Sequence, residues 1–502
     1  MASPAKLDVV SGQAVNIKAC SSPMLHDTAA VPLHKSALSI LGRCTPVYTP
    51  LPTISSAIGK HANMGNSLAS LTTESPLDRL TTLSKLIEEK TRVLTDHLRA
   101  KGLEAPSFHP DGLADFPLAQ LDAEAKKARI EVIALTKELH DLALGPREGL
   151  KTLAWDTVSF IPLHAITEFK LAEAVPRTGS ISYLDLSAEV RKRTGVDVPS
   201  YDLRRLLRLA MANNLFCEPE LGHVAHSRSS LLFLEDANLA SWVEMYMSDL
   251  FAPVAYTASA MRKWPASQED NETGLNLAYG HSMNLFAHLQ VDETRSKRYD
   301  QAMKAMGSRE GFEVSHTVQS YPWDKLGSGT VVDMGGNQGF VSVAIAEAFP
   351  SLSFDVQDLP GMRTAVTTGQ VPEHLAERVK LTTHDFFQEQ PVVASAYLFR
   401  HVFHAFTDKY AVQILKALVP AMRPGARVII NDSVLMAPGL VSRVEEKSLR
   451  VLDVLMKTVC NSRDRDIDDW KSLFEQADPR FKWQGAWKSS GRMWLMEAVW
   501  EE

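Results

Sequence analysis

Residues Thr330 to Pro350 read TVVDMGGNQGFVSVAIAEAFP, a β-branched run that passes through Asp333, Gly335, Gly336 and Gly339 into an apolar helical pattern. Glycines at such a junction let the backbone turn sharply and let a ligand approach it with no Cβ in the way. The spacing is DxGGxxG. A dinucleotide-binding GxGxxG separates its first two glycines by one residue, whereas here they are adjacent and preceded by an acid. An acidic side chain suits a cationic amino-acid ligand better than a pyrophosphate. The alternative is an ordinary glycine turn between a strand and a helix.

Outward from this loop the pattern is that of a doubly wound α/β fold, with short β-rich runs alternating with helices. Strands are expected at Thr330 to Asp333, Leu352 to Gln357, Val379 to Thr383, Ala396 to Arg400 and Arg427 to Asp432, with helices beginning near Gly339, Asp408 and Asp468. Ligands in open α/β sheets sit outside the carboxyl ends of the strands, so residues there are the site candidates. Asp358, in FDVQDLPGM, follows the glycine loop by about 20 residues, where an acid can accept hydrogen bonds from ribose hydroxyls. The third strand ends in HDFF, where Asp385 could meet an adenine amino group and Phe386 its ring face, or the pair could be a capped loop with a core aromatic. The fourth ends in YLFRHVFHAF, which brings Arg400, His401 and His404 together. A neutral imidazole at His404 could accept a hydroxyl proton. Asp432 and Asp464, the latter in NSRDRDIDDW, could orient it, or could be loop and helix-cap carboxylates.

The 502 residues exceed what one hydrophobic core usually supports. Composition, with 45% hydrophobic and 23% charged residues, is globular, and a formal net charge of −7 gives no general attraction to phosphate backbones or anionic lipid. Cys20, Cys44, Cys217 and Cys460 are far apart, with no zinc or disulfide spacing, which fits a reducing compartment. No run approaches the roughly 18 apolar residues of a membrane span, and the start lacks the pattern of a secretory signal, so a soluble cytoplasmic protein is expected. Residues 1–75 are Ser, Ala, Thr and Pro rich and read as a weakly ordered extension. Leu80, Leu83, Ile87, Leu94 and Leu98 then recur at helical spacing, and a second helix is expected from Leu121 to Leu144, ending at Gly145-Pro146. Ser182 to Ser227 reads as helix, turn, helix and short β-wing, a winged-helix pattern. Arg204, Arg205 and Arg208 on its second helix allow a DNA-binding reading, or form a solvated face, which the overall charge favours.

The loop VVDMGGNQG, followed in order by QDLP, HDFF, LFRHVFHAF, LVPAMRPGARVIINDSVL and NSRDRDIDDW, resembles the S-adenosylmethionine-dependent O-methyltransferases of plant and fungal secondary metabolism, over roughly residues 80–502. The resemblance implies a mainly helical winged-helix dimerisation domain (76–260), a homodimer, and a Rossmann-like cofactor-binding domain (261–502). It implies that Asp333, Gly335, Gly336 and Gly339 form the cofactor loop, with Gly335 and Gly336 facing the methionyl part. Asp358 would face the ribose, Asp385 and Phe386 the adenine, and Arg400 would line the site. His404 corresponds to the family's catalytic histidine and Asp432 and Asp464 to its acidic supporters. No metal is implied. The reaction implied is in-line attack of a hydroxyl oxygen of an aromatic or polyketide-like metabolite on the sulfonium methyl. Two departures stand out: His404-Ala405-Phe406 replaces the usual His-Asp-Trp, and Asp464 replaces a longer Glu. They leave open a relative that binds the cofactor as a cation but catalyses a dehydration or pericyclic rearrangement; a winged-helix regulatory protein is the third reading.

Overall fold

The computed structural model describes residues 75–359 and 371–502, so the expected extension at the start lies outside the described residues. A long helix, Pro76–Lys101, pairs with a second, Ala123–Ser159. Leu94 and Leu98 of the first pack on Ala125 and Ala128 of the second, and Arg79 clamps Glu138 at 2.8 Å. The second helix does not end at Gly145 as expected. Gly145 adopts φ 75° and ψ 163°, breaking the helix, and Pro146 opens its continuation to Ser159. Proline is tolerated in a first helical turn, where its missing N–H has no acceptor to lose, so Gly-Pro here redirects the helix rather than stopping it.

The helices Tyr183–Thr194 and Ser200–Met211 follow, and strands β2 (Cys217–Glu220) and β3 (His223–Ala225) form a hairpin behind them, with β1 (Ile181–Ser182) pairing on β3. Leu186, Val190, Leu203, Leu207 and Ala210 make the buried face shared by these helices. Arg208 grips Glu218 of the hairpin with two contacts of 2.8 Å, and Arg205 lies 3.5 Å from Asp202. Arg208 is thus committed to fastening the hairpin to the helix.

The second half is built on a seven-stranded sheet. The strands β4 (Thr330–Met334), β5 (Ser353–Asp358), β6 (Val379–Thr383), β7 (Ala396–Arg400), β8 (Arg427–Asp432), β9 (Phe481–Lys488) and β10 (Trp494–Trp500) lie in the order β6-β5-β4-β7-β8-β10-β9. The five expected strands are parallel; β10, not expected, runs antiparallel between β8 and β9. Successive side chains of a strand face opposite ways. Val332, Met334, Tyr397, Phe399, Val428 and Ile430 accordingly enter one core, and Val331, Ala396, Leu398 and Ile429 the other. Burial on both faces explains why these strands read as continuous apolar runs. A further cluster joins Met245, Leu275, Leu285 and Ala302 to Met456, Val459 and Cys460 of the helix Arg443–Cys460, so residues before and after 261 share one core. No described helix is long and apolar enough to cross a membrane.

Candidate active site

The chain leaves β4 toward β5 on one side and leaves β7 toward β8 on the other, so the crevice at the carboxyl ends of β4 and β7 is the topological switch point. The sequence-derived candidates converge there. Asp333, next to last in β4, is almost fully buried, and one of its carboxylate oxygens accepts the Ser342 hydroxyl at 2.6 Å. Burial pushes its carboxyl up to about 6, against the pull of the Arg400 guanidinium. In the loop, the Gly335 N–H donates to the Gln357 carbonyl at 2.8 Å and Gly335 has φ 71°, a left-handed conformation that only glycine adopts freely. A Cβ on Gly336 would come within 2.7 Å of the Asp333 carboxylate and 2.6 Å of Val356. The loop is drawn against β5 so closely that a side chain cannot fit. Gly339, at φ 77°, leads into the helix Phe340–Ala348.

Asp358 braces this loop from β5: Oδ2 accepts the Asn337 N–H at 2.9 Å and Oδ1 the Leu359 N–H at 2.7 Å. Asp385 accepts the Phe387 N–H at 3.0 Å, capping its own loop. Phe386 stands edge-on to Phe406 with centroids 5.5 Å apart. Arg400, at the end of β7, donates to the Phe312 carbonyl at 2.6 Å, while its Nε has no partner. Burial lowers its guanidinium to about 10 in spite of the opposing charges of Asp333 and Asp432.

His404 sits on a tight turn, Phe403–Ala405, held from three sides. Its N–H donates to Asp432 Oδ2 at 3.2 Å, its carbonyl accepts the Ser462 hydroxyl at 2.6 Å, and Arg465 donates to the Phe403 and Phe406 carbonyls at 2.9 and 2.7 Å. Arg465 is fully buried and balanced by Asp408 at 2.9 Å. The His404 Nδ1 is buried and has no hydrogen-bond partner among the described residues. Asp432, with no exposure, thus supports the histidine through its backbone.

Asp464 is buried with both oxygens unpartnered, and its N–H donates to Asp453 at 2.9 Å. Burial, then the charges of Asp432 and Asp453, push its carboxyl up to about 8. Phe406 is buried against Phe286, Phe386 and Phe387, and Ala405 lies between two apolar clusters.

Sequence reasoning missed Ser462 and Arg465, which fix the histidine turn from sixty residues away. It also missed Asp300, whose carboxyl burial raises and which bonds the Asn337 side chain beside the glycine loop. Arg465 carried one signal, a basic residue framed by Asp464 and Asp466.

The sheet order and the acid-glycine loop at its switch point define a class I, Rossmann-like methyltransferase fold. The model of the O-methyltransferase domain matches residues 263–479. The chain is 35% identical over 428 residues to a grayanic acid biosynthesis cluster O-methyltransferase of Cladonia grayi, covering 85% of this chain and 88% of that one. It is 35% identical over 438 residues to a chlorophenol O-methyltransferase of Trichoderma longibrachiatum, covering 86% and 92%. The crystal structure of OxaC in complex with SAH and oxaline superimposes with a TM-score of 0.64 at 22% identity, over 84% of this chain and all of that one. The chain belongs to the O-methyltransferase family, enzymes of secondary metabolism that use S-adenosylmethionine.

The residues present fit that cofactor. A cradle that a Cβ would fill, a buried acid at its floor, and partnerless polar atoms on Asn337 and Arg400 meet at one crevice.

Proposed function

We propose that the protein methylates a hydroxyl oxygen of a small aromatic or polyketide-like metabolite, with His404 as the general base. The observation that carries this reading is an imidazole with an unpartnered Nδ1 on a turn locked by Asp432, Ser462 and Arg465 at the switch point. The cofactor supplies an activated methyl on a sulfonium. Asp333, Gly335, Gly336 and Gly339 would form its cradle, with Asp358 at the ribose, Asp385 and Phe386 at the adenine, and Arg400 closing the site. The work left to the chain is alignment and proton removal: the fixed turn presents the imidazole, which takes the hydroxyl proton, a contribution of about 10²- to 10⁴-fold. Asp432 would support it by charge and by position, and Asp464 by position. The chlorophenol relative makes phenols the first substrates to try. Incubation with a phenol panel and methyl-labelled cofactor tests the reading: label in product supports it, and product without label sinks it.

A second reading rests on Asp464. A buried carboxyl pushed up to about 8 is largely protonated at neutral pH, and a proton donor suits a dehydration or rearrangement better than methyl transfer. Sinefungin, cationic but unable to donate methyl, separates the two, since turnover in its presence belongs only to the second.

We also propose a homodimer formed through a helical half reaching to about residue 260. Leu150, Leu153 and Trp155, beyond the Gly145 break, are 71, 62 and 76% exposed, an apolar run unusual on a solvated helix. Light scattering should give twice 55.5 kDa, and Leu153→Asp with Trp155→Glu should give monomers. A wild-type monomer at micromolar concentration would refute the assembly.

A further inference from the structure

We propose that His401, His404 and Asp432 form a site for a divalent transition cation of the zinc class, and that its occupancy blocks the proposed methyl transfer. One ligand atom from each of the three lies within 4.8 Å of the others. Two imidazoles and a carboxylate are the donor set that Zn²⁺ and its neighbours favour, and three protein ligands leave a fourth position for water. In a tetrahedral site with bonds of about 2.1 Å, ligand atoms stand about 3.4 Å apart, so the three groups must close by about an ångström. The closure falls to the two rings, of which His401 stacks on Phe312 with centroids 5.8 Å apart. His401 Nε2 and His404 Nδ1 are both buried without hydrogen-bond partners, and the two rings lie 5.4 Å apart between centroids.

Two further observations point the same way. His401 is held at φ 54°, a left-handed conformation that histidine adopts at a cost, and there its Nδ1 lies 3.8 Å from Asp432 Oδ1. The charges are also uneven. Asp432 is fully buried. Of the nearby cations, Arg465 is committed to Asp408, and Arg400, which would repel a dication, is bound to the Phe312 carbonyl and shares its charge with Asp333. A dication would therefore meet the buried Asp432 carboxylate, with both neighbouring guanidinium groups already engaged. Binding stands independently of the reaction, whereas inhibition rests on His404 being the base.

The full-length protein, stripped with EDTA, is titrated with Co²⁺ as a visible probe and then with Zn²⁺. The expected result is one saturable equivalent with a d–d absorption band, displaced by Zn²⁺, and methyl transfer inhibited by Zn²⁺ and restored by EDTA. His401→Asn, a residue that tolerates the same backbone conformation, and His404→Gln should each weaken Co²⁺ binding by about 100-fold or more, since loss of mere outer-shell partners costs 10- to 100-fold. Absence of a saturable band overturns the site, and an unchanged band in whichever of the two variants keeps the wild-type circular dichroism overturns it and assigns binding to other histidines among the chain's 16. Saturation without inhibition overturns the second half alone. If no substrate is methylated, the titration still decides the first.

Discussion

Asp432 holds His404 by its backbone and not by its ring. Oδ2 accepts the His404 N–H at 3.2 Å, Oδ1 accepts the Ser433 N–H at 2.9 Å, and the His404 Nδ1 has no hydrogen-bond partner. The end of β8 therefore fixes where the histidine stands and leaves its imidazole open to a proton. His404→Ala should cut methyl transfer by about 10² or more with cofactor affinity nearly unchanged. Asp432→Ala strands two N–H groups, those of His404 and Ser433, at about 1–3 kcal/mol each, and should also lower the melting temperature. Labelled-methyl assays, calorimetric titration and thermal melts separate these outcomes. Full activity in His404→Ala would remove it as the base.

Asp464 links stability to pH. Its carboxyl, pushed up to about 8 by burial and by Asp432 and Asp453, keeps its proton in the folded protein, whereas an unfolded Asp loses it near about 3.9. Between these values the unfolded chain binds fewer protons, so this group's contribution to stability falls as pH rises from about 4 to about 8 and is level beyond. Asp464→Asn should melt close to wild type at pH 4 and above it at pH 8, by on the order of 2–4 °C for each ~1 kcal/mol gained. A difference that shrinks with rising pH would contradict the assignment.

Ala405→Asp restores an acid common in the family, yet it should destabilise this protein. Ala405 packs between the sheet core and the cluster around Leu285 and Met456, where a carboxylate would find apolar neighbours. A loss of about 1–3 kcal/mol in denaturant melts is expected. An unchanged midpoint would mean that the turn can reorient the side chain into water.

Gly335→Val and Asp358→Ala should both weaken cofactor binding strongly, for different reasons. Valine at Gly335 must adopt φ 71°, and its Cβ would lie 3.2 Å from Val402. Asp358→Ala releases the Asn337 N–H and with it the brace on the loop. Isothermal titration with S-adenosylhomocysteine provides the measurement, and wild-type affinity in both variants would show that the glycine loop is not the cradle.

The parallel strands were legible because burial on both faces leaves unbroken apolar runs such as Val428 to Ile430, and the strand ends were legible because acids and glycines interrupt those runs. The strands β9 and β10 were not, since Phe481–Lys488 mixes exposed and buried positions on an edge and the Ser490-Gly491 turn that joins it to Trp494–Trp500 was passed over. Residues 228–320 form many short helices whose contacts lie far away in sequence, and periodicity says little about such segments. In the site, residue identities were readable while their bonding was not. Nothing local in NSRDRDIDDW says that Arg465 reaches the carbonyls of Phe403 and Phe406.

The order of strands also sets a timetable. Because β10 occupies the place between β8 and β9, a chain made only up to residue 493 has a bare β8 edge and lacks two of the sheet's six ladders. Domains generally fold as units during synthesis, and unpaired edges are the points at which unfinished chains stick to one another. The histidine turn hangs from the end of that same β8 strand through Asp432. Cover for the β8 edge, and for the strand from which that turn hangs, therefore waits on Trp494–Trp500.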